Sequence, residues 1–330
     1  MKTSSLDSNL ERVILEPSLS NLKQIIDSEI LKLSSDLSMF KLNEQMSYAI
    51  LSSGKRLRAM ITLLCTGSVG GNLQNAKSLA LAVEIMHAAT LVHDDIVDKE
   101  SIRRGKPTVH KKWSVNDAIL TGDALLSLAL SQIVNYDNKI LQVISETGLL
   151  LAEGEYMDLD PSTETSEEEY IKRIFRKTAS LFSASAKCGA LVGKGSQAEI
   201  AALANFGENF GMAYQIRDDL QDTTECKGNI PADLRERRFT LPLIHMHDST
   251  KEYEKSNFDR NIKGLAKKEY SNNQTYADEI LVHLRQNGAI EYCQHKINEY
   301  VNEAINNLQL LQKTNYKTNL TQLAESLKLE

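Results

Sequence analysis

Proline and glycine are scarce, with five and sixteen copies in 330 residues. With so few breakers, and with Leu, Ala, Glu, Lys and Ile abundant, the composition favours helix. The four cysteines, Cys65, Cys188, Cys226 and Cys293, have no paired spacing, which excludes a disulfide framework or a zinc cluster. A basic excess is also missing. The formal charge is −6, so the electrostatic footprint of a nucleic-acid binder is absent. No uninterrupted apolar run approaches the ~18–20 residues of a membrane span, and the opening MKTSSLDSNLERV lacks the apolar core of a signal peptide. The expectation is a soluble, cytoplasmic protein. With 42% hydrophobic residues it has ample material for a core.

Residues 1–20 read as a polar N-terminal arm, followed by one all-α domain over 21–330. Helical periodicity predicts elements at Leu22–Leu37, at Asn43–Gly67 and through the long apolar stretch Leu79–Asp98. Gly105 and Pro107 break a polar loop. Ser114 is an expected N-cap for the next helix, Lys139–Leu159 a further one, and Ser166 a second capped start. Long helices are expected over 167–192 and 197–222, an apolar segment from Phe239, and more helix through 274–312. Strand alternation and short repeats are not evident. Trp113, Tyr136 and Met157 carry no expectation beyond packing.

The stretch LALAVEIMHAATLVHDDIVD ends in Asp94, Asp95 and Asp98. Helical spacing puts Asp94 and Asp98 on one face, with Leu91, Thr90 and His87 running back along it. Neighbouring carboxylates repel and are costly to bury uncompensated. Mg²⁺ resolves that conflict, because it takes carboxylate oxygens and keeps positions for water and phosphate. A solvated acidic helix end explains the same residues, and one motif leaves both readings open. The second copy shifts the balance. YQIRDDLQD repeats the Asp-Asp-x-x-Asp form at Asp218, Asp219 and Asp222, again near a predicted helix end and again followed by a loop with Arg or Lys. Two such clusters facing one another could hold several Mg²⁺ ions around a diphosphate. Basic groups at Lys55–Arg58, Arg103–Lys106, Lys111–Lys112 and Arg235–Arg238 would supply the phosphate contacts.

The stretches SSGKRLRAM, EIMHAATLVHDDIVDKESIRRGKPTVH, GDALLSLAL, RKTASLF, YQIRDDLQD and LRERRFTLP, spanning roughly residues 52–244, resemble the trans-isoprenyl diphosphate synthases of the polyprenyl synthetase family. The resemblance implies a single-domain helical bundle around a deep cavity, usually a homodimer, that joins isopentenyl diphosphate to an allylic diphosphate with about three Mg²⁺ ions. Lys55, Arg58, His87 and Arg104 match isopentenyl diphosphate contacts. Arg103, Lys177, Thr178 and Gln215 match allylic diphosphate contacts. Asp94, Asp95, Asp98, Asp218, Asp219 and Asp222 match the metal motifs, with Asp94, Asp98, Asp218 and Lys177 central to catalysis. The chain departs from the family pattern at Ser53, at Ala59 in place of a proline, at Lys227, displaced by one position, and at Arg238 in place of a lysine.

Chain length enters through the residues before the first motif. Bulky aromatics four and five positions before it stop growth early in the family; here Thr90 and Ala89 are small, and Met86 lies one turn deeper. The expected product is an all-trans polyprenyl diphosphate of medium to long chain. Alternatives are a geranylgeranyl or farnesyl diphosphate synthase, a terpene cyclase, which would not need Lys55, Arg58 and His87, and a non-catalytic subunit of a heteromeric synthase. Such subunits usually lose an aspartate motif, and both are whole here.

Overall fold

A computed structural model describes residues 5–52, 54–159, 166–224, 239–249 and 282–329. The described residues are almost wholly helical. In order they form α1 Ser5–Ile14, α2 Pro17–Asp36, α3 Asn43–Ile50, α4 Leu57–Ser68 and α5 Lys77–Val97. After a hairpin of β1 Ile102–Arg103 and β2 Lys106–Pro107 come α6 Val109–Lys112, α7 Val115–Ile133 and α8 Asn138–Asp158. Then follow α9 Glu167–Ile174, a π-helical turn Phe175–Ala179, α10 Ser180–Val192 and α11 Gln197–Thr224. Here α12, α13 and α14 denote Leu241–Ser249, Ala289–Asn307 and Asn315–Glu325. None of these helices is long and apolar enough to cross a membrane.

The core is built around α5 and α10. Leu79 to Met86 of α5 are buried without interruption, so this helix is enclosed on every side there, with Glu84 the one charged residue in the run. It packs against α7 and α4, while α10 lies between α4 and α11. A ladder of Phe182, Phe206, Phe210 and Tyr214 joins α10 to α11, with ring centroids 5.2 to 6.4 Å apart. The expected caps form. Ser114 accepts from the Asp117 backbone N–H, and Ser166 and Glu169 make a reciprocal capping box.

Four expectations differ from the structure. The stretch read as a polar arm is helical from Ser5. Leu10, Val13 and Ile14 of α1 and Leu19 and Leu22 of α2 are buried, because the few apolar residues recur at i, i+3 and i+4. The helix expected over Asn43–Gly67 is two helices. Arg56 adopts a left-handed φ of 55° between them, and its Nη2 donates to the α3-terminal carbonyl of Ile50 at 3.0 Å. The loop after α5 contains a short antiparallel pairing of Ile102 with Pro107 and Arg103 with Lys106. The long helix expected over 167–192 is interrupted by the π turn. Gly154 of α8 explains how that turn comes so close, since a Cβ there would lie 2.4 Å from the Lys177 backbone nitrogen. Of the helix expected through 274–312, residues 274–281 lie outside the described residues.

Candidate active site

Helix α5 presents two functional stripes. Glu84, His87, Ala88, Leu91 and Asp95 recur at spacings of three and four and line a cavity of about 890 Å³. Asp94 and Asp98 face α8 instead, where Glu155 offers a third carboxylate; the three place oxygens within 4.8 Å of one another. Among the described residues, neither Asp94 Oδ1 nor Glu155 Oε1, both hidden from solvent, accepts a hydrogen bond, and Asp94 Oδ1 has only the Lys177 ammonium at 3.3 Å. Oxygen donors crowded in this way fit a hard divalent cation.

Cations of the chain already converge on this cluster. Lys177, on the π turn, reaches Asp158 at 2.6 Å, Glu155 at 2.9 Å and Asp94 at 3.3 Å. Its pKa is raised: Asp158, Asp94 and Glu155 together outweigh the cost of burying its charge. Arg103, on β1, donates through Nη2 to Asp94 at 3.1 Å and through Nε to Asp95. Burial nonetheless raises the Asp95 carboxyl pKa, with Arg103 opposing the shift. Glu155 is pushed up to about 7, first by burial and then by the neighbouring Asp94 charge, against the pull of Lys177.

Much of the remaining lining is basic. Lys55, Arg58 and Arg104 line the same cavity as His87, and Arg103 and Asp218 share it. The Arg58 guanidinium lies 4.3 Å from the Phe182 ring centroid, and its buried Nε makes no hydrogen bond. Arg104 has a φ of 52° and rests on Gly54, where a Cβ would meet its Nη1 at 2.7 Å. Burial, then the charges of Arg58, Arg104, Arg103 and Arg56, holds the His87 pKa well below its usual value. His87 is therefore neutral at pH 7 and contributes a hydrogen-bonding group, with the charge left to the arginines.

At the second motif, Asp219 accepts from Tyr170 Oη at 2.6 Å and from Gln215 Nε2 at 2.7 Å, while Gln215 Oε1 accepts from Thr178 Oγ1 at 2.6 Å. Asp218 and Asp222 are exposed near the end of α11. Lys227 and Arg238 lie outside the described residues. Ala89, Thr90 and Met86 do not line the cavity. Ala89 is about 200° around the helix from both His87 and Leu91, and it lies one turn before His93, which contacts the Ile119 carbonyl of α7 at 3.2 Å. Ala89 is thus fully buried on the α7 side. Met86 Cε approaches Gly148 of α8, and Thr90 lies between Met86 and Asp94 on the same helical stripe, one turn from each.

Sequence reasoning missed Glu155 and Asp158, and with them Glu84, Asp27 and Arg56. Glu84 accepts from the Ala59 N–H at 3.1 Å at the start of α4, and Arg56 Nε donates to Asp27 at 2.9 Å. A glutamate inside the apolar run of α5 was the available signal for Glu84. Glu155, beside Gly154 on a mixed helix, offered none.

The raised Glu155 pKa makes metal-free stability depend on pH. The fold favours the protonated form, so its contribution is present below the ordinary value of 4.5 and is lost as pH rises through about 7. In EDTA, urea denaturation should show a loss on the order of 2 kcal/mol between pH 4.5 and pH 8 from this group. Glu155→Gln should flatten that slope, and equal slopes in both proteins would refute the assignment.

Comparisons with known proteins agree with this geometry. Residues 40–280 match the family model described as polyprenyl synthetase. A short chain isoprenyl diphosphate synthase of Methanothermobacter thermautotrophicus is 32% identical over 92% of this chain and 94% of its own length. The octaprenyl diphosphate synthase of Escherichia coli is also 32% identical, over 89% and 90%. The crystal structure of geranylgeranyl pyrophosphate synthetase from Pyrococcus horikoshii superimposes with a TM-score of 0.85 at 31% identity, covering 98% of this chain and 99% of that one. With matches that span nearly the whole length, two aspartate motifs and an all-α fold, the chain belongs to the polyprenyl synthetase family and is a trans-prenyltransferase.

Proposed function

We propose that the chain condenses isopentenyl diphosphate with an allylic diphosphate to give an all-trans polyprenyl diphosphate. One observation carries this reading: a single cavity lined both by Lys55, Arg58 and Arg104 and by Arg103 and Asp218. Two diphosphates need two such patches, whereas a cyclase would need one. Lys55, Arg58 and Arg104 hold the isopentenyl diphosphate, with neutral His87 as a hydrogen-bond partner. Arg103, Lys177, Thr178 and Gln215 hold the allylic diphosphate. Asp94 and Asp98, joined by Glu155, and Asp218 and Asp222 of α11 would hold Mg²⁺. When bound, the metal neutralises diphosphate charge and assists its departure.

Lys177 and Arg103 stabilise the departing diphosphate from fixed positions, so little reorganisation is needed as charge develops. The allylic C–O bond breaks, the isopentenyl alkene forms the new C–C bond, and a proton is given up to the released diphosphate. Leu91 and Val92, both lining the cavity, keep water from the allylic cation. No side-chain nucleophile is required.

A homodimer is part of the proposal. Ile119, Leu120, Leu130 and Val134 of α7 and Leu149 and Tyr156 of α8 are 44% to 76% exposed, an apolar set that a second copy would cover. Sedimentation should give twice the chain mass, and a monomer at micromolar concentration would refute this.

The chemistry is tested by incubating the protein with farnesyl diphosphate, with and without labelled isopentenyl diphosphate. Label should enter a longer diphosphate, and cyclised hydrocarbon without isopentenyl diphosphate would overturn the reading. Asp94→Ala and Asp218→Ala should each lower kcat ~10²–10³-fold, the effect of losing about 3–4 kcal/mol of transition-state stabilisation. Near-normal turnover at saturating Mg²⁺ would remove either residue from the site.

The product is proposed to be of medium to long chain, beyond farnesyl. Support comes from the stripe of α5 that leads back from Asp94, where small Thr90 is followed one turn on by the deformable Met86 beside Gly148 of α8. Ala89 packs toward α7, so the chain-length role falls to Thr90 and Met86. Thr90→Phe should shorten the product distribution read by chromatography of the dephosphorylated alcohols. Unchanged products, or a wild type that stops at farnesyl, would defeat it.

A further inference from the structure

Helix α9 carries neither aspartate motif, yet two of its side chains lead into the site. Tyr170 is fully buried, and its phenol pKa is raised well above the ordinary value, foremost by burial and then by Asp219. It therefore acts as a neutral donor. Its hydroxyl begins a hydrogen-bonded chain across three elements: Tyr170 Oη to Asp219 Oδ2 at 2.6 Å, Gln215 Nε2 to Asp219 Oδ1 at 2.7 Å, and Thr178 Oγ1 to Gln215 Oε1 at 2.6 Å. One turn further along α9, Arg173 donates to the Phe239 carbonyl at 2.8 Å and approaches Asp158 at 3.5 Å, and Asp158 accepts from Lys177. Both paths end on adjacent residues of the π turn, Lys177 and Thr178.

The contacts give the first chain one polarity: Tyr170 Oη and Gln215 Nε2 both donate to Asp219, and Gln215 Oε1 is turned toward the Thr178 hydroxyl. Among the described residues no acceptor takes the second Nε2 proton of Gln215, in a site built for an anion. Without the carboxylate anchor the amide could turn over and offer its oxygen, which would repel a diphosphate.

We propose that Tyr170 is a positioning residue for the allylic diphosphate: through Asp219 it fixes the orientation of Gln215 and the hydroxyl of Thr178. The proposal rests on the reading that Gln215 and Thr178 contact the allylic substrate. Asp219 then serves chiefly as the anchor of this chain, while Asp218 and Asp222 face the metal.

The test is Tyr170→Phe, which keeps the ring and removes only the hydroxyl, studied with Gln215→Ala and the double variant. Steady-state kinetics with farnesyl diphosphate and isopentenyl diphosphate should show the allylic KM up about tenfold in Tyr170→Phe, the scale of one hydrogen bond to a charged group. The isopentenyl KM should stay within about twofold, as should the Mg²⁺ concentration for half-maximal rate. Gln215→Ala should raise the allylic KM likewise, and Tyr170→Phe should add nothing in that background, because one residue acts through the other. Calorimetric binding of inorganic diphosphate in the presence of Mg²⁺ should weaken in parallel. Equal loss for both substrates, or additive effects in the double variant, would reduce Tyr170 to a structural role and overturn the proposal. If Gln215→Ala raises the allylic KM and Tyr170→Phe does not, the proposal fails while the site reading stands. If Gln215→Ala leaves the allylic KM unchanged, the site reading fails and takes the proposal with it. Should Tyr170→Phe not fold, Asp219→Asn carries the same expectation; a shift in Mg²⁺ half-saturation instead of the allylic KM would overturn it.

Discussion

Negative charge collected where a helix least tolerates it is the constraint from which the rest of the site follows. Asp94, Asp95 and Asp98 occupy the C-terminal turn of α5, the negative end of its dipole, and Glu155 and Asp158 approach from α8. Burial, and after it the charge of Asp94, raises the cost of ionising Glu155 and pushes its pKa up to about 7. Lys177 and Arg103 offset part of this charge, and a cation is suited to offset the remainder. Removing a partner from such a buried set typically costs about 3–5 kcal/mol, more than a surface pair could recover. The arrangement is thus held in readiness for positive charge, which a metal-diphosphate complex supplies.

Irregular backbone delivers the compensating cations. Arg103 stands on a two-residue strand, Lys177 on a π turn, and Lys55 and Arg58 flank a left-handed Arg56. Lys99 and Arg104 also have positive φ, a conformation that costs a non-glycine residue about 1–2 kcal/mol. Tertiary contacts hold these positions. Tyr48 donates to the Pro107 carbonyl at 2.7 Å and pins the hairpin to α3, and Arg56 is anchored by Asp27 and Ile50. Regular helices supply the carboxylates and Arg58; irregular connections supply Lys55, Arg103, Arg104 and Lys177. That division lets a rigid bundle present opposite charges across one cavity.

Most helices and both aspartate motifs could be read in the chain, because apolar periodicity and Asp-Asp-x-x-Asp spacing are local properties. The caps at Ser114 and Ser166 were equally legible, since a cap involves residues three apart. The break at Arg56, the π turn and the burial of α1 were not. Each depends on a distant partner: Asp27 and Glu84 for Arg56, Gly154 of α8 for the π turn, and the core beneath Leu10 for the first helix.

The sequence by itself determined the all-α class, the acidic helix ends and the basic groups available to meet them, all of which follow from residue type at fixed helical spacing. Tertiary structure alone decided which carboxylates share an oxygen cluster, that Met86 meets Gly148 of α8, and that Tyr170 reaches Asp219. A helix reveals which residues share a stripe; only packing selects the neighbour that each stripe meets.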